Sequence, residues 1–178
     1  MSAEPAFSSP IPATSPPHDW PCREEGLFMN HLGRVMVVRI EEQISPRAFD
    51  RHLAELARAF DLREVDQRYA VLYDVPWLSS MDALRRRTVA SMLNERKEMI
   101  RRTTAAFALS TASKLVRGAL EAIFWMSPPS FPAHTAESTF EAFSFLQRFL
   151  PEVDPRTYDA EYRRQIGRGS SGVRPASR

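Results

Sequence analysis

Residues Tyr69–Arg87, YAVLYDVPWLSSMDALRRR, contain the most informative transition in the chain. In the first part, Tyr69–Val75, apolar side chains occur on both of the alternating faces, which is typical of a central strand buried on both faces of a parallel sheet. Pro76 lacks a backbone N–H and therefore ends that strand. Ser79 or Ser80 then provides a cap for a helix that runs through the arginines. The stretch predicts a buried strand, a loop and a helix in succession.

The flanking sequence repeats this alternation of strand and helix. Leu27–Asn30 and Arg34–Ile40 are apolar stretches separated by a turn, and they predict a β-hairpin. Ser45 followed by Pro46 predicts the start of a first amphipathic helix. Further along, the pattern predicts a strand at Thr104–Leu109 and a helix in the segment opening at Ser110–Lys114. It then predicts a short strand at Ala133–Glu137 and a last core helix that starts at the capping box Ser138–Glu141.

This order of elements predicts an α/β fold with a mostly parallel sheet of about five strands, an initial β-hairpin and about four helices. The 178 residues, of which 43% are hydrophobic, suffice for one domain. Composition divides the chain into a disordered, proline-rich leader (1–26), the α/β domain (27–150), and a short helix with a flexible basic tail (151–178). In that last segment, an apolar stripe is formed by Tyr158, Tyr162 and Ile166. This stripe predicts that the short helix docks on the domain or on a partner.

Charge and motif content favour a non-enzymatic protein. The net charge is +2 and the pI is near 9.0, but no basic cluster is interleaved with aromatic residues, so no nucleic-acid partner is expected. The four histidines lie on different predicted elements, and no spacing indicates a metal site, a cofactor site or a catalytic centre. The single cysteine, Cys22, excludes an intramolecular disulfide. Neither a secretory signal nor a membrane span is apparent, which predicts a cytoplasmic location.

The pattern resembles the STAS domain family, and within it the SpoIIAA-like group. Asp74 ends the central strand, Ser79 and Ser80 follow in a polar loop, and the closing helix reads EAFSFL over 141–146. The resemblance covers roughly residues 27–150. It implies the fold of bacterial anti-sigma-factor antagonists, in which phosphorylation of a serine after the central strand switches partner binding. It therefore implies a candidate interaction and switch loop consisting of Asp74, Trp77, Ser79 and Ser80, with helix capping as the alternative role of the serines.

A second candidate site lies after the next strand. Ser110, Thr111, Ser113 and Lys114 follow Thr104–Leu109 at the carboxyl edge of the predicted sheet, where open α/β sheets bind ligands. Hydroxyls, helix N-terminal amides and an ammonium group together suit an anion. The alternative is that the hydroxyls only cap the helix that begins there.

Two functions remain open from the sequence. The first is a regulatory protein-interaction domain that binds an unknown protein partner, or a second copy of itself, through the loop after the central strand. Trp77 and the run Phe124–Met126 would supply exposed apolar contacts, unless they are simply packed in the core or loops. The second is a binder of a small anionic ligand or lipid at the carboxyl edge of the sheet.

Overall fold

The described part of the chain begins as an antiparallel meander. The computed structural model describes five segments, residues 21–41, 44–61, 67–76, 83–126 and 128–170. Strands β1 (Cys22–Glu24), β2 (Leu27–Leu32) and β3 (Val35–Ile40) pair antiparallel in succession. Gly26 and Gly33 lie in the two turns with φ of 75° and 55°, the left-handed region in which a side chain is disfavoured. The predicted hairpin is confirmed, and β1 extends it.

The rest of the sheet is parallel. Strands β4 (Tyr69–Asp74), β5 (Thr104–Ser110) and β6 (Ala133–Ala136) follow β3, each parallel to the strand before it. The strand order is β1-β2-β3-β4-β5-β6. Six helices lie in the described segments: α1 (Pro46–Asp61), α2 (Ala83–Glu95), α3 (Lys97–Thr103), α4 (Lys114–Met126), α5 (Thr139–Gln147) and α6 (Pro155–Ser170). The predicted α/β class is confirmed.

The two faces of the sheet are covered by different helices. A strand order that advances steadily places all right-handed crossover helices on the same face. Helices α1 to α4 accordingly share one core with sheet residues such as Met36 and Val71. Helices α5 and α6 cover the other face, where Phe143, Tyr158 and Tyr162 are buried. Each large apolar side chain contributes about 1.5–3 kcal/mol on burial, so both layers stabilise the sheet.

Side-chain caps define three helix starts as the sequence predicts. In each case the capping oxygen accepts an N–H from the residue three positions on: Ser45 from Ala48 at 3.1 Å, Ser138 from Glu141 at 3.2 Å, and Asp154 from Thr157 at 2.8 Å. Each cap satisfies a backbone donor that the helix leaves unpaired, and such caps contribute about 1 kcal/mol.

The predicted N-terminal boundary is wrong by several residues. Residues 22–24 of the predicted leader form β1, and Cys22 pairs with Met29 and is buried. A strand of three residues at a sheet edge has no periodicity to detect, and the nearby prolines dominate the local composition. Positions 1–20 lie outside the described residues.

The predicted helix count and C-terminal boundary also need correction. One long helix was expected through residue 102, but Arg96 separates α2 from α3. No proline or glycine marks this break in the sequence. The C-terminal helix α6 is 16 residues long and belongs to the domain, because Tyr158 and Tyr162 are only 2% and 1% exposed. The tail from position 171 lies outside the described residues.

Candidate functional site

An apolar cavity of about 120 Å³ lies between the sheet and the helices of the crossover face. The floor consists of alternate residues of the central strands, and the walls are the inner faces of α1, α2 and α4. Its lining is almost wholly aliphatic and aromatic, and includes Phe49, Phe60, Val71, Leu109, Ile123 and Phe131. The cavity lies on the side of the sheet away from α5 and α6. Its shape and lining suit an apolar occupant of modest size.

A buried polar pair interrupts the apolar lining. His52 of α1 and Tyr73 of β4 both line the cavity, and the Tyr73 hydroxyl lies 3.0 Å from His52 Nε2. The two rings meet edge to face, with centroids 5.6 Å apart. Among the described residues, His52 Nδ1 is buried and has no hydrogen-bond partner. Burial lowers the pKa of His52 to about 4, so the imidazole is neutral at pH 7, and burial also raises the pKa of Tyr73.

Aromatic rings continue from this pair along one wall. Phe107 of β5 lies 5.6 Å from the Tyr73 ring, 5.8 Å from Phe124 and 6.4 Å from Phe131, measured between centroids. The edge-to-face and tilted geometries are those that aromatic pairs prefer. A planar apolar ligand would therefore meet ring edges and faces on this side of the cavity.

Arg85 brings a permanent charge to the cavity lining. It lies in the first described turn of α2, and its guanidinium carbon is 5.1 Å from the centroid of the Phe49 ring. This cation–π contact holds the charge beside the apolar wall. Arg85 would be the residue to receive an acidic group on a ligand.

Asp74 belongs to a different site on the opposite face of the sheet. Its Oδ2 accepts hydrogen bonds from Arg39 Nη1 and from the Tyr162 hydroxyl, each at 2.6 Å. Arg39 and Asp74 are register partners on β3 and β4, whereas Tyr162 comes from α6. Burial, together with the Asp74 carboxylate, raises the pKa of Tyr162, so its hydroxyl remains a donor. The network joins the carboxyl edge of the sheet to the last helix.

The rest of the predicted interaction loop follows the described segment that ends at residue 76. Trp77, Ser79 and Ser80 lie outside the described residues, so the switch assignment stays a prediction. Asp74 itself is 6% exposed, and its carboxylate is occupied by the two donors described above. Of the predicted loop residues, the structure therefore locates Asp74 alone, as a buried anchor for α6.

The predicted anion site is brought together at the start of α4. Ser110 is the register partner of Asp74, and both Ser110 and Thr111 are buried. The Ser113 N–H donates to Thr111 Oγ1 at 3.1 Å, and the Val116 N–H lies 3.4 Å from Ser113 Oγ. Lys114 is exposed. Two of the hydroxyls thus accept local backbone N–H groups, which favours the capping role, and anion binding stays a prediction.

Sequence reasoning missed the cavity residues, although one signal was present. His52 follows Phe49 by three positions and precedes Leu56 by four, so it lies on the apolar face of α1. A histidine on such a face is expected to be buried. Its partner Tyr73 could not be identified, because the contact joins a helix to a strand 21 positions later.

The described residues show neither a metal-binding cluster nor a membrane-spanning helix. Within the described segments, no cluster of three or more His, Cys, Asp or Glu side chains could hold a metal ion. None of the described helices has the length and apolar character needed to span a membrane.

The fold and the site define an α/β domain with a mixed sheet and an apolar cavity on its crossover face. A solved structure similar to this chain is an uncharacterised protein of the DUF3478 family from Shewanella loihica PV-4, described as having a SpoIIAA-like fold. The two share 12% identity with a TM-score of 0.48, over 67% of this chain and 91% of that chain. SpoIIAA-like is also the group that the sequence pattern resembles. No family model and no curated protein matches the chain.

Proposed function

We propose that this domain binds a small, mainly apolar molecule in the cavity between its sheet and α1, α2 and α4. The cavity itself is the observation that carries the proposal, since its described lining residues are apolar apart from His52, Tyr73, Arg85 and Thr104. The role is binding without catalysis, in the bacterial cytoplasm, as the sequence pattern predicts. It differs from the ligand-binding alternative that the sequence left open, which was a small anionic ligand or lipid at the carboxyl edge of the sheet.

The size of the cavity supports an occupant of about one ring. Engineered apolar cavities of about 150 Å³ bind benzene, and this cavity measures about 120 Å³. An apolar occupant of this volume removes apolar lining from water, which is favourable by about 25 cal/mol per Å² of buried apolar surface. A ligand therefore gains affinity simply by completing the packing.

Filling the cavity tests the proposal. Toluene is expected to raise the melting temperature of the protein, because a ligand that binds only the folded state stabilises it. Ala119 lines the cavity, and Ala119→Leu is expected to weaken toluene binding about tenfold or more, since overpacking costs about 1–3 kcal/mol. Titration calorimetry and thermal unfolding measure the two effects.

Ala54→Leu is the matched control for this experiment. Ala54 is exposed on α1, so the same substitution adds its methyl groups outside the cavity. The control is expected to bind toluene like the unmodified protein. Equal toluene affinity in Ala119→Leu, or the absence of toluene binding in the unmodified protein, contradicts the proposed function.

As a second candidate, we propose a regulatory protein-interaction domain whose contact surface includes the outer side of α4. Trp125 is 86% exposed and Leu115 is 54% exposed. At 100° per residue, Leu115, Gly118, Ala122, Trp125 and Met126 fall within an arc of about 100°. Exposed apolar side chains grouped in this way are typical of an interaction surface. The sequence left open a protein partner or a second copy, and a second copy is tested most directly.

Trp125→Glu is expected to abolish self-association if α4 is the contact between two copies. A charge placed in the centre of an apolar contact costs several-fold in affinity at least, because it must be desolvated. Sedimentation velocity across a concentration series measures the change. Phe140→Glu is the control, since Phe140 is 44% exposed but lies on α5, on the other face of the sheet. A monomer at all concentrations, or dissociation by both variants alike, would contradict this candidate.

A further inference from the structure

The His52–Tyr73 pair has one hydrogen-bond donor more than it can use. A neutral imidazole carries one N–H, and a phenol carries one O–H. If His52 Nε2 bears the proton and donates to the Tyr73 oxygen, the Tyr73 O–H needs another acceptor. If Nδ1 bears the proton, Tyr73 donates to Nε2 and the Nδ1–H is left over. Among the described residues, neither tautomer finds an acceptor for the second hydrogen.

An unmet donor in an apolar cavity is costly, and a ligand can meet it. A buried donor without a partner costs about 1–3 kcal/mol. Both residues line the cavity, and His52 is only 3% exposed with its Nδ1 buried, so bulk water does not satisfy that nitrogen. A ligand oxygen placed beside the pair would accept the spare hydrogen.

We propose that the cavity selects an uncharged, ring-sized apolar molecule carrying one oxygen acceptor, such as a hydroxyl, which hydrogen-bonds to the His52–Tyr73 pair. This inference rests on the proposed function and specifies its ligand class. The aromatic wall formed by Phe107, Phe124 and Phe131 favours a planar ring. A charged group beside the pair is disfavoured, because neutral His52 and Tyr73 offer it no counter-ion and the desolvation cost of an unpaired ion is large. Phenols and cyclic alcohols have the required combination.

The ligand class is tested with three small probes measured by titration calorimetry: p-cresol, p-xylene and p-toluate. The first two differ by a hydroxyl in place of a methyl group, and the third adds a carboxylate. Each probe is titrated into the full chain and into the double variant His52→Leu/Tyr73→Phe, which removes every polar side-chain atom of the pair. Tyr73→Phe alone would leave the His52 N–H as a donor. The preference for p-cresol over p-xylene is the ratio of their affinities, and comparing this ratio between proteins cancels the different hydration of the probes.

The preference for p-cresol is expected to fall about tenfold in His52→Leu/Tyr73→Phe, because the ligand hydroxyl then has no donor from the pair. Tyr69→Phe is the matched control and is expected to keep the full preference. Tyr69 lies on the same strand and the same side of the sheet, and its hydroxyl contacts Gln67 outside the cavity. Thermal unfolding of both variants confirms that they fold.

The other outcomes overturn the inference in distinguishable ways. If p-xylene binds but the preference is the same in His52→Leu/Tyr73→Phe, the pair selects no oxygen and the proposed function survives. If p-toluate binds more tightly than p-cresol, the ligand is an anion held at Arg85. If none of the three probes binds, the inference and the proposed function fail together.

Discussion

Replacing Asp74 with alanine is expected to lower the free energy of unfolding by about 3 kcal/mol, the low end of the range for breaking a buried ion pair. The change removes the acceptor shared by Arg39 and Tyr162, both of which donate to it at 2.6 Å. The Tyr162 hydroxyl is then buried without an acceptor, and Arg39 loses its nearest carboxylate. The low end applies because the Arg39 side chain is 25% exposed and part of its charge is hydrated. Urea denaturation followed by circular dichroism measures the change.

Two companion variants separate the network from general effects of substitution. Tyr162→Phe removes one hydrogen bond to a charged group and is expected to cost about 1.5–3 kcal/mol. Asp50→Ala removes an exposed carboxylate of α1 and is expected to change stability little. Limited proteolysis of Asp74→Ala is expected to cut first within α6, because that helix loses its polar anchor. If Asp74→Ala is as stable as Asp50→Ala, the network does not stabilise the fold.

The fold could be predicted because its signals are local. Strands β4 and β5 carry apolar residues on both faces. Ser45, Ser138 and Asp154 mark helix starts with the capping chemistry that the structure shows. The elements that were missed lack such signals. Strand β1 has three residues, and the break at Arg96 involves neither proline nor glycine. Their formation depends on pairing and packing with distant parts of the chain.

The site was less predictable because its residues are brought together by tertiary structure. Asp74 was identified correctly as the acidic end of the central strand, but its partner Tyr162 is 88 positions away on a helix assigned to a tail. A cavity is set by the side-chain volumes of many elements, and no single segment encodes it. His52 could have been singled out from its place on the apolar face of α1.

Each face of the sheet carries one of the two polar sites. On one face, the Arg39–Asp74–Tyr162 network closes α6 over a well-filled core. On the other face, the His52–Tyr73 pair lies beside a cavity. On the first face, Arg39 and the Tyr162 hydroxyl both donate to the Asp74 carboxylate. On the second face, the His52–Tyr73 pair has a donor without an acceptor among the described residues. Stability is therefore expected to depend mainly on the first site, and ligand selection on the second.

The pH dependence of stability is expected to reveal the burial of His52. Burial lowers its pKa in the folded state to about 4, from the ordinary value of 6.5. Between these two pH values the unfolded chain binds a proton that the folded protein does not, so acid favours unfolding. The contribution of His52 is fully present above about pH 6.5 and is lost as the pH falls towards about 4. The sign is therefore a loss of stability on acidification.

The size of this loss follows from the pKa difference. Lowering the pH from about 7 to about 4.5 is expected to cost about 2–3 kcal/mol through His52 alone. Urea denaturation at the two pH values measures the total change, to which carboxylates with lowered pKa values, such as Glu141 and Asp154, also contribute. Repeating the measurement with His52→Gln isolates the histidine, because glutamine keeps a hydrogen-bonding side chain but does not titrate.

The difference between the two pH profiles decides the assignment. His52→Gln is expected to lose about 2–3 kcal/mol less than the unmodified protein over the same interval. Arg47→Gln is the control, because Arg47 is exposed on the same helix and the variant introduces the same side chain without removing His52. It is expected to keep the acid sensitivity of the unmodified protein. Parallel profiles for the unmodified protein and His52→Gln would mean that His52 is protonated without penalty in the folded state. The imidazole would then be hydrated or paired with an anion, and the pair would not hold the unmet donor on which the proposed ligand class depends.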